Sequence, residues 1–268
     1  MIVFPNAKIN LGLYITSKRS DGFHEIQSCM YPIPLCDALE IQIAKKTRFE
    51  SSGIPIPGNP EDNLILKAYR LLKKDFPDLP PISVHLHKHI PIGAGLGGGS
   101  ADAAFALKSM NTLFELYLED WILEDYAAQL GSDCPFFITN RPKLVSGRGE
   151  LMQNSNLDLS GKWILLIYPS IHIGTKEAYS GVTPKPMSSS LKECLDNPRE
   201  WKSCLQNDFE ESIFPNHPEI HFLKNQLYGL GAYYAAMSGS GSSVFGLFEE
   251  EPPKVDAESS HFSFRSQL

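Results

Sequence analysis

The sequence predicts an α+β fold in two domains, and three observations carry that expectation. Apolar and polar residues alternate with period two through the first 45 residues, as half-buried antiparallel strands do. A glycine cluster at 93–99 ends a further alternating strand and opens an Ala- and Leu-rich helix, without the strict strand–helix–strand order of a doubly wound sheet. A fresh apolar strand at 163–168 then begins a second stretch long enough for its own core, which places the boundary at 158/159 and divides the chain into 1-158 and 159-268.

The elements follow in chain order. Ile9, Leu11, Leu13 and Ile15 alternate with Asn10, Gly12 and Tyr14, and Ser20-Asp21-Gly22 turns the chain into a strand from His24 to Met30. Glu61-Asp62-Asn63 caps a helix carrying Leu64, Leu66, Ala68, Leu71 and Leu72, which must end before Pro77. Between Pro81 and Ile92, Ile82, Val84, Leu86 and Ile90 form an apolar face against Ser83, His85, His87 and His89. A helix runs from about Ser100 to Leu113, and another from Trp121 to Leu130 closes at Gly131, a residue suited to a left-handed C-terminal position. Residues 141–150 read as a loop or hairpin. After the strand at 163–168 come a polar stretch at 184–190, helical segments at 191–204 and 218–227, and a strand–glycine–strand run at 233–248. No internal repeat is visible.

Composition narrows the class. The 268 residues are 42% hydrophobic and 21% charged, with a formal net charge of −7. That balance provides no field to gather nucleic acid or an anionic membrane, so neither is expected as a partner, and any anionic ligand must be held by local groups. The opening residues MIVFPNAKINLGLYI show neither a basic n-region nor a long apolar run, so no signal peptide or span is expected there. Cys29, Cys36, Cys134, Cys194 and Cys204 form an odd, scattered set, read as reduced thiols in a cytoplasm. For Cys134, packing is the expected role.

The strongest local signal is PIGAGLGGGSADAA at residues 91–104. Glycines let successive backbone N–H groups turn toward one point, and the start of the following helix adds partial positive charge, so a polyphosphate fits there. Gly93, Gly95 and Gly98 satisfy the GxGxxG spacing, but no strand follows as the dinucleotide fold requires. Gly93 and Gly98 also match the Walker glycines, yet Gly99 stands where that loop needs its lysine. A second segment, Met237-Ser238-Gly239-Ser240-Gly241-Ser242-Ser243, is either a tight hairpin or a second backbone wall for the same phosphates. The row His85, His87, His89 could face a zinc ion, but no carboxylate or cysteine is spaced to complete such a site, and a polar strand face is the expectation.

Three ordered segments, PNAKINLGL at 5–13, PIGAGLGGGSADAA at 91–104 and MSGSGSSVFG at 237–246, resemble the GHMP kinase superfamily. SDGFHEI (20–26), EDNLILKAYRLL (61–72), LGSDCPFFI (130–138) and SGRGE (146–150) resemble its cytidyl-methylerythritol branch. The resemblance spans nearly the whole chain and thins at 184–206 and after 250. It implies a two-domain fold, with a ribosomal-protein-S5-like ATP domain followed by a ferredoxin-like α/β-plait domain. It also implies transfer of the γ-phosphoryl of ATP, with Mg²⁺, to the 2-hydroxyl of a cytidyl-bearing polyol, by a cytoplasmic monomer or homodimer.

Roles follow from the matched positions. Asp133 would accept the hydroxyl proton, and Lys8 would hold that carboxylate ionised and bias charge toward the γ-phosphoryl. Asn10 would fix the polyol. His24 would read the cytosine edge while Phe23 and Tyr179 stack on its faces, an order exchanged relative to the family's usual Tyr then Phe. Pro91, Gly93, Gly95, Leu96, Gly97, Gly98 and Gly99 would cradle the phosphates, with Ser100 either bonding them, approaching Mg²⁺, or simply capping the helix. Asn63 and Lys88 match positions near the purine, and Ser238, Gly239 and Ser240 would close the pocket. The competing readings are a homoserine, mevalonate or phosphomevalonate kinase, a non-catalytic nucleotide sensor, and an RNA-binding relative of the ribosomal fold. The Phe23-His24 and Tyr179 set opposes the first, Lys8 with Asp133 the second, and the acidic balance the third.

Overall fold

The computed structural model describes residues 1–187, 190–255 and 261–268, so Ser188 and Ser189 of the expected polar stretch and residues 256–260 lie outside the described residues. Its strands are β1 (Ile2–Val3), β2 (Asn6–Lys18), β3 (His24–Cys36), β4 (Ala38–Ile43), β5 (Arg48–Gly53), β6 (Ile82–Lys88), β7 (Lys143–Ser146), β8 (Leu151–Asn154), β9 (Trp163–Tyr168), β10 (Tyr234–Met237), β11 (Val244–Phe248) and β12 (Phe262–Gln267). Its α-helices are α1 (Leu64–Asp75), α2 (Gly98–Leu113), α3 (Asp120–Leu130), α4 (Phe136–Thr139), α5 (Thr175–Ser180), α6 (Leu191–Leu195), α7 (Trp201–Cys204), α8 (Phe209–Ile213) and α9 (Pro218–Gly229). The mixture is α+β, as expected.

The chain forms two compact units that interleave along the sequence. The first comprises Met1–Ala7, Leu35–Ile92 and Gly97–Arg141, and the second Lys8–Pro34, Gly93–Leu96 and Pro142–Leu268. The expected boundary at 158/159 therefore falls inside the second unit.

In the first unit a four-stranded sheet has the order β1-β4-β6-β5, with β5 parallel to β6 and the other neighbours antiparallel. Ile82, Val84 and Leu86 of β6 are buried while His85 and His87 are exposed, as period-two patterning requires. The two histidines share the Ser52 hydroxyl, at 3.2 and 3.0 Å. Helix α1 starts where Asn63 accepts the Ile65 N–H at 2.9 Å, and it buries Ile65, Leu66, Ala68, Tyr69 and Leu72 on one stripe. It ends at Asp75, two residues before Pro77, which could not continue it. Helices α1, α2 and α3 pack on one another.

The second unit holds two sheets, β2-β3-β7-β8 and β10-β11-β9-β12, the latter antiparallel throughout. Its core gathers Leu165, Ile167, Phe209, Ile213, Leu223, Leu227, Met237 and Val244. Burying each such side chain contributes about 1.5–3 kcal/mol. The segment at 141–150 holds β7 and the turn of the β7–β8 hairpin, and β12, unforeseen from the sequence, pairs with β9 from Phe262↔Tyr168 to Gln267↔Trp163.

Several expectations are corrected. Helix α2 begins at Gly98, two residues before Ser100, and its N-cap is Gly97 at φ 70°, so Ser100 does not cap it. Gly131 follows α3 in extended backbone at φ 169°, not in the left-handed region. The helical stretch 191–204 is broken by Pro198 into α6, a 3₁₀ turn and α7. Strand β2 is not half-buried: Asn6 through Ile15 are buried without a break. Cys194 and Cys204, with Cα atoms 6.0 Å apart, are joined as a disulfide, so not all five thiols are reduced, while Cys29, Cys36 and Cys134 are free.

Candidate active site

Strand β2 places Lys8 and Asn10 on the same face, and both are as buried as the apolar residues of the opposite face. A polar side chain in that position needs partners. Lys8 Nζ donates to Asn10 Oδ1, Asn10 Nδ2 donates to Ser28 Oγ at 2.8 Å, and Ser28 Oγ donates to the Gly12 carbonyl at 2.6 Å. The Lys8 backbone N–H also donates to the Leu96 carbonyl at 3.0 Å, which ties this strand to the end of the glycine loop. Asn10 thus does not point to solvent, and Ser28 joins it as a site residue the sequence reading did not find.

Within the second unit, Gly93 to Leu96 lie against the second glycine segment. A Cβ on Gly95, whose φ is +77°, would come within 2.0 Å of the Ser238 carbonyl oxygen, and one on Gly93 within 2.7 Å of His172 Nδ1. Only glycine permits this approach. Ser238 Oγ donates to the Gly95 carbonyl at 2.9 Å and the Ser243 N–H to the Ala94 carbonyl at 3.2 Å. Residues 238–243 are therefore a wall behind the loop as well as a hairpin turn. The Ser238 hydroxyl holds the wall to the loop, Gly239 is buried beside Asn10 and Gly95, and Ser240 is half-buried.

Within the first unit, Gly97 through Ser100 form the left-handed cap and first turn of α2. The first N–H groups of a helix lack intrahelical acceptors and attract anions. A Cβ on Gly99 would meet nothing within 4 Å, so this backbone is open to a ligand. Gly98 is closed: its Cβ would lie 2.9 Å from Ile90 Cγ2 and 3.0 Å from Lys88 Nζ. Pro91 is buried ahead of the loop.

Lys88, expected near the purine, lies on the inward face of β6. It is 3% exposed, and its ammonium is paired with Asp37 and, at 2.7 Å, with Asp102 Oδ2. Asp37 Oδ1 in turn accepts the His89 and Ile90 N–H groups at 2.6 and 2.8 Å. Asp102 Oδ1 is buried without a hydrogen-bond partner, and burial pushes the Asp102 carboxyl up to about 7 against the opposing pull of Lys88. The triad underpins the first turn of α2. A signal for this was present, since Lys88 shares the parity of Ile82, Val84 and Leu86 and so belongs to the inward face of β6.

Asp133 is half-buried in the turn between α3 and α4, next to Cys134, whose thiol bonds Ser100 and is pushed up to about 11 by burial. Asn63 is occupied as the α1 cap through its side-chain oxygen. Among the described residues no group of three His, Cys, Asp or Glu side chains could hold a metal ion.

The three residues expected to hold a base, Phe23, His24 and Tyr179, all lie in the second unit. The His24 ring stacks on Tyr179, centroids 4.8 Å apart at 19°, and Tyr179 meets Phe209 edge-on at 4.8 Å. Tyr179 is thus the support for His24, and one of its faces is covered. Phe23 is 54% exposed with the Arg148 guanidinium 4.9 Å above its ring. Arg148 sits on the turn whose Gly147 N–H donates to Glu25 Oε1 at 2.8 Å. It was not singled out, because a charged turn residue carries no pattern of its own.

The family described as GHMP kinases N terminal domain matches residues 63–141, and GHMP kinases C terminal matches residues 186–260. The chain belongs to the GHMP kinases and, with them, is an ATP-dependent small-molecule kinase. Proteins named 4-diphosphocytidyl-2-C-methyl-D-erythritol kinase are similar along the whole length: one from Bacteroides fragilis is 52% identical with 100% of each chain covered. Another, from Cytophaga hutchinsonii, is 54% identical with 94% of each covered. A crystal structure of 4-(cytidine 5'-diphospho)-2C-methyl-D-erythritol kinase superposes with a TM-score of 0.79 at 30% identity, covering 92% of this chain and 90% of that one. Methanococcus jannaschii mevalonate kinase, at 13% identity and a TM-score of 0.68, shares the fold.

Proposed function

We propose that this protein transfers the γ-phosphoryl group of ATP to the 2-hydroxyl of 4-diphosphocytidyl-2-C-methyl-D-erythritol, in the cytoplasmic non-mevalonate route to isoprenoid precursors. The full-length identity to relatives bearing that name carries the reading. The division into an N-terminal and a C-terminal family domain at 158/159 goes with it, since the two family matches fall on either side.

In this reading the substrate hydroxyl oxygen attacks Pγ, the bond from Pγ to the β-bridging oxygen breaks, and ADP leaves. Asp133 takes the hydroxyl proton, and Lys8 supplies positive charge toward the moving phosphoryl. Asn10, fixed by Ser28, orients the polyol. Gly95, Gly97, Gly99 and Ser100 offer backbone to the phosphates, with Ser238, Gly239 and Ser240 behind Gly95. Magnesium in such sites keeps most of its ligands from water and substrate phosphates. In the first turn of α2, Ser100 would offer one hydroxyl to the ion. Bound there, the ion would neutralise charge on the phosphates. His24, backed by Tyr179, and Phe23, under Arg148, recognise the cytosine.

The test is incubation with ATP, magnesium and a panel of alcohols with and without a cytidyl group, following ADP release and the phosphorus spectrum of the product. The cytidyl polyol should be consumed at least 100-fold faster than homoserine, mevalonate or phosphomevalonate. Preference for any of those three defeats the substrate assignment.

A further inference from the structure

The short segment Gln206–Glu210, which the nucleotide and substrate roles above do not use, joins two parts of the second unit. On one side it pairs in parallel with β2: the Leu13 N–H donates to the Gln206 carbonyl at 2.8 Å, the Asp208 N–H to the Leu13 carbonyl at 2.8 Å, and the Ile15 N–H to Asp208 Oδ2 at 2.7 Å. On the other side it grips the second glycine segment. Asn207 Nδ2 donates to the Met237 carbonyl at 2.7 Å and to the Gly239 carbonyl at 2.8 Å, and Asn207 Oδ1 accepts the Phe209 N–H at 3.0 Å. Glu210 Oε1 accepts the Met237 N–H at 2.8 Å.

Asn207 is 3% exposed, and both amide hydrogens go to carbonyls that flank Ser238. Ser238 is the residue whose carbonyl oxygen leaves no room for a Cβ on Gly95 and whose hydroxyl bonds the Gly95 carbonyl. A shift of the 237–239 backbone would therefore displace Gly95. A carboxamide is the side chain that can donate twice from one atom while accepting through another.

We propose that Asn207 is a positioning residue for nucleotide binding: by clamping the Met237 and Gly239 carbonyls it fixes the Ser238 backbone against Gly95, in register with the strand that carries Lys8 and Asn10. The proposal rests on the kinase reading above and extends it to a residue whose side chain bonds backbone groups. Asn207→Asp retains the shape but turns an acceptor toward two carbonyls, and Asn207→Ser retains a single donor.

The experiment measures steady-state kinetics with both substrates, ADP affinity by calorimetry and thermal midpoint for wild type, Asn207→Asp, Asn207→Ser and Leu223→Ala, a core change in α9. Asn207→Asp should raise the KM for ATP and the Kd for ADP at least tenfold, with the KM for the cytidyl substrate changed less than twofold. Asn207→Ser should fall between it and wild type, which keeps the test open should Asn207→Asp fail to fold. Leu223→Ala should lower the thermal midpoint without moving the KM for ATP. Unchanged ADP affinity in both Asn207 variants, equal losses for both substrates, or the same ATP shift in Leu223→Ala would each overturn the proposal. ADP affinity is read without turnover, so a wild-type protein that ignores the cytidyl substrate would count against the proposed function alone.

Discussion

The ammonium of Lys88 lies 2.7 Å from Asp102 Oδ2, and the two residues are 3% and 4% exposed beneath the first turn of α2. Asp37 completes the group from the single position between β3 and β4. The first turn of α2 thus has a charged foundation, to which the Lys88 ammonium belongs.

Removing that cation leaves two buried carboxylates facing each other. Lys88→Met is expected to destabilise the protein by about 3–5 kcal/mol, the usual cost of breaking one partner out of a buried ion pair. Urea unfolding measures this, and a loss below about 1 kcal/mol would show that the triad contributes little.

The Asp102 carboxyl, raised to about 7 chiefly by burial, is protonated in the folded state over a range where the unfolded chain is already ionised. Between roughly pH 4 and 7 the native state holds more protons, so this group's contribution to stability is full below the unfolded value and declines as pH rises through 7. Wild type should accordingly lose stability relative to Asp102→Asn over that range. A difference that stays flat or grows with pH contradicts the raised value.

Two glycines of one loop should respond oppositely to a methyl group. Gly95→Ala must push a Cβ into the Ser238 carbonyl at a positive φ, and it is expected to weaken ATP binding at least tenfold and to lower stability by about 1–3 kcal/mol. Gly99→Ala meets open space inside a helix, where the exchange gains about 0.5–1 kcal/mol. Thermal melts and ATP titrations on both variants separate the two outcomes.

Asp133→Asn should lower kcat by about 10²–10⁴-fold, the range for loss of a general base, while calorimetric affinity for the cytidyl substrate stays within twofold. Unchanged turnover removes Asp133 as the proton acceptor.

Because the His24 ring lies flat on Tyr179, the two should act together. His24→Ala and Tyr179→Leu are each expected to raise the KM for the cytidyl substrate at least tenfold and the KM for ATP less than twofold. Additive losses in the double variant would argue that the rings work independently.

What the sequence determined is what neighbouring residues dictate to each other. Period-two alternation locates β2 and β6, the Ser20-Asp21-Gly22 turn announces β3, an apolar run marks β9, the Asn63 cap and Pro77 bracket α1, and glycines mark both the 93–99 loop and the turn between β10 and β11. These signals are local because dihedral freedom, capping and pleat act over a few positions. The tertiary structure alone decided the partners. Lys88 meets residues 51 and 14 positions away, and Asn207 reaches 30 and 32 positions to the carbonyls it holds. A buried polar group takes whatever complementary group the packing brings to it, and nothing in the pattern around either residue specifies which one that will be.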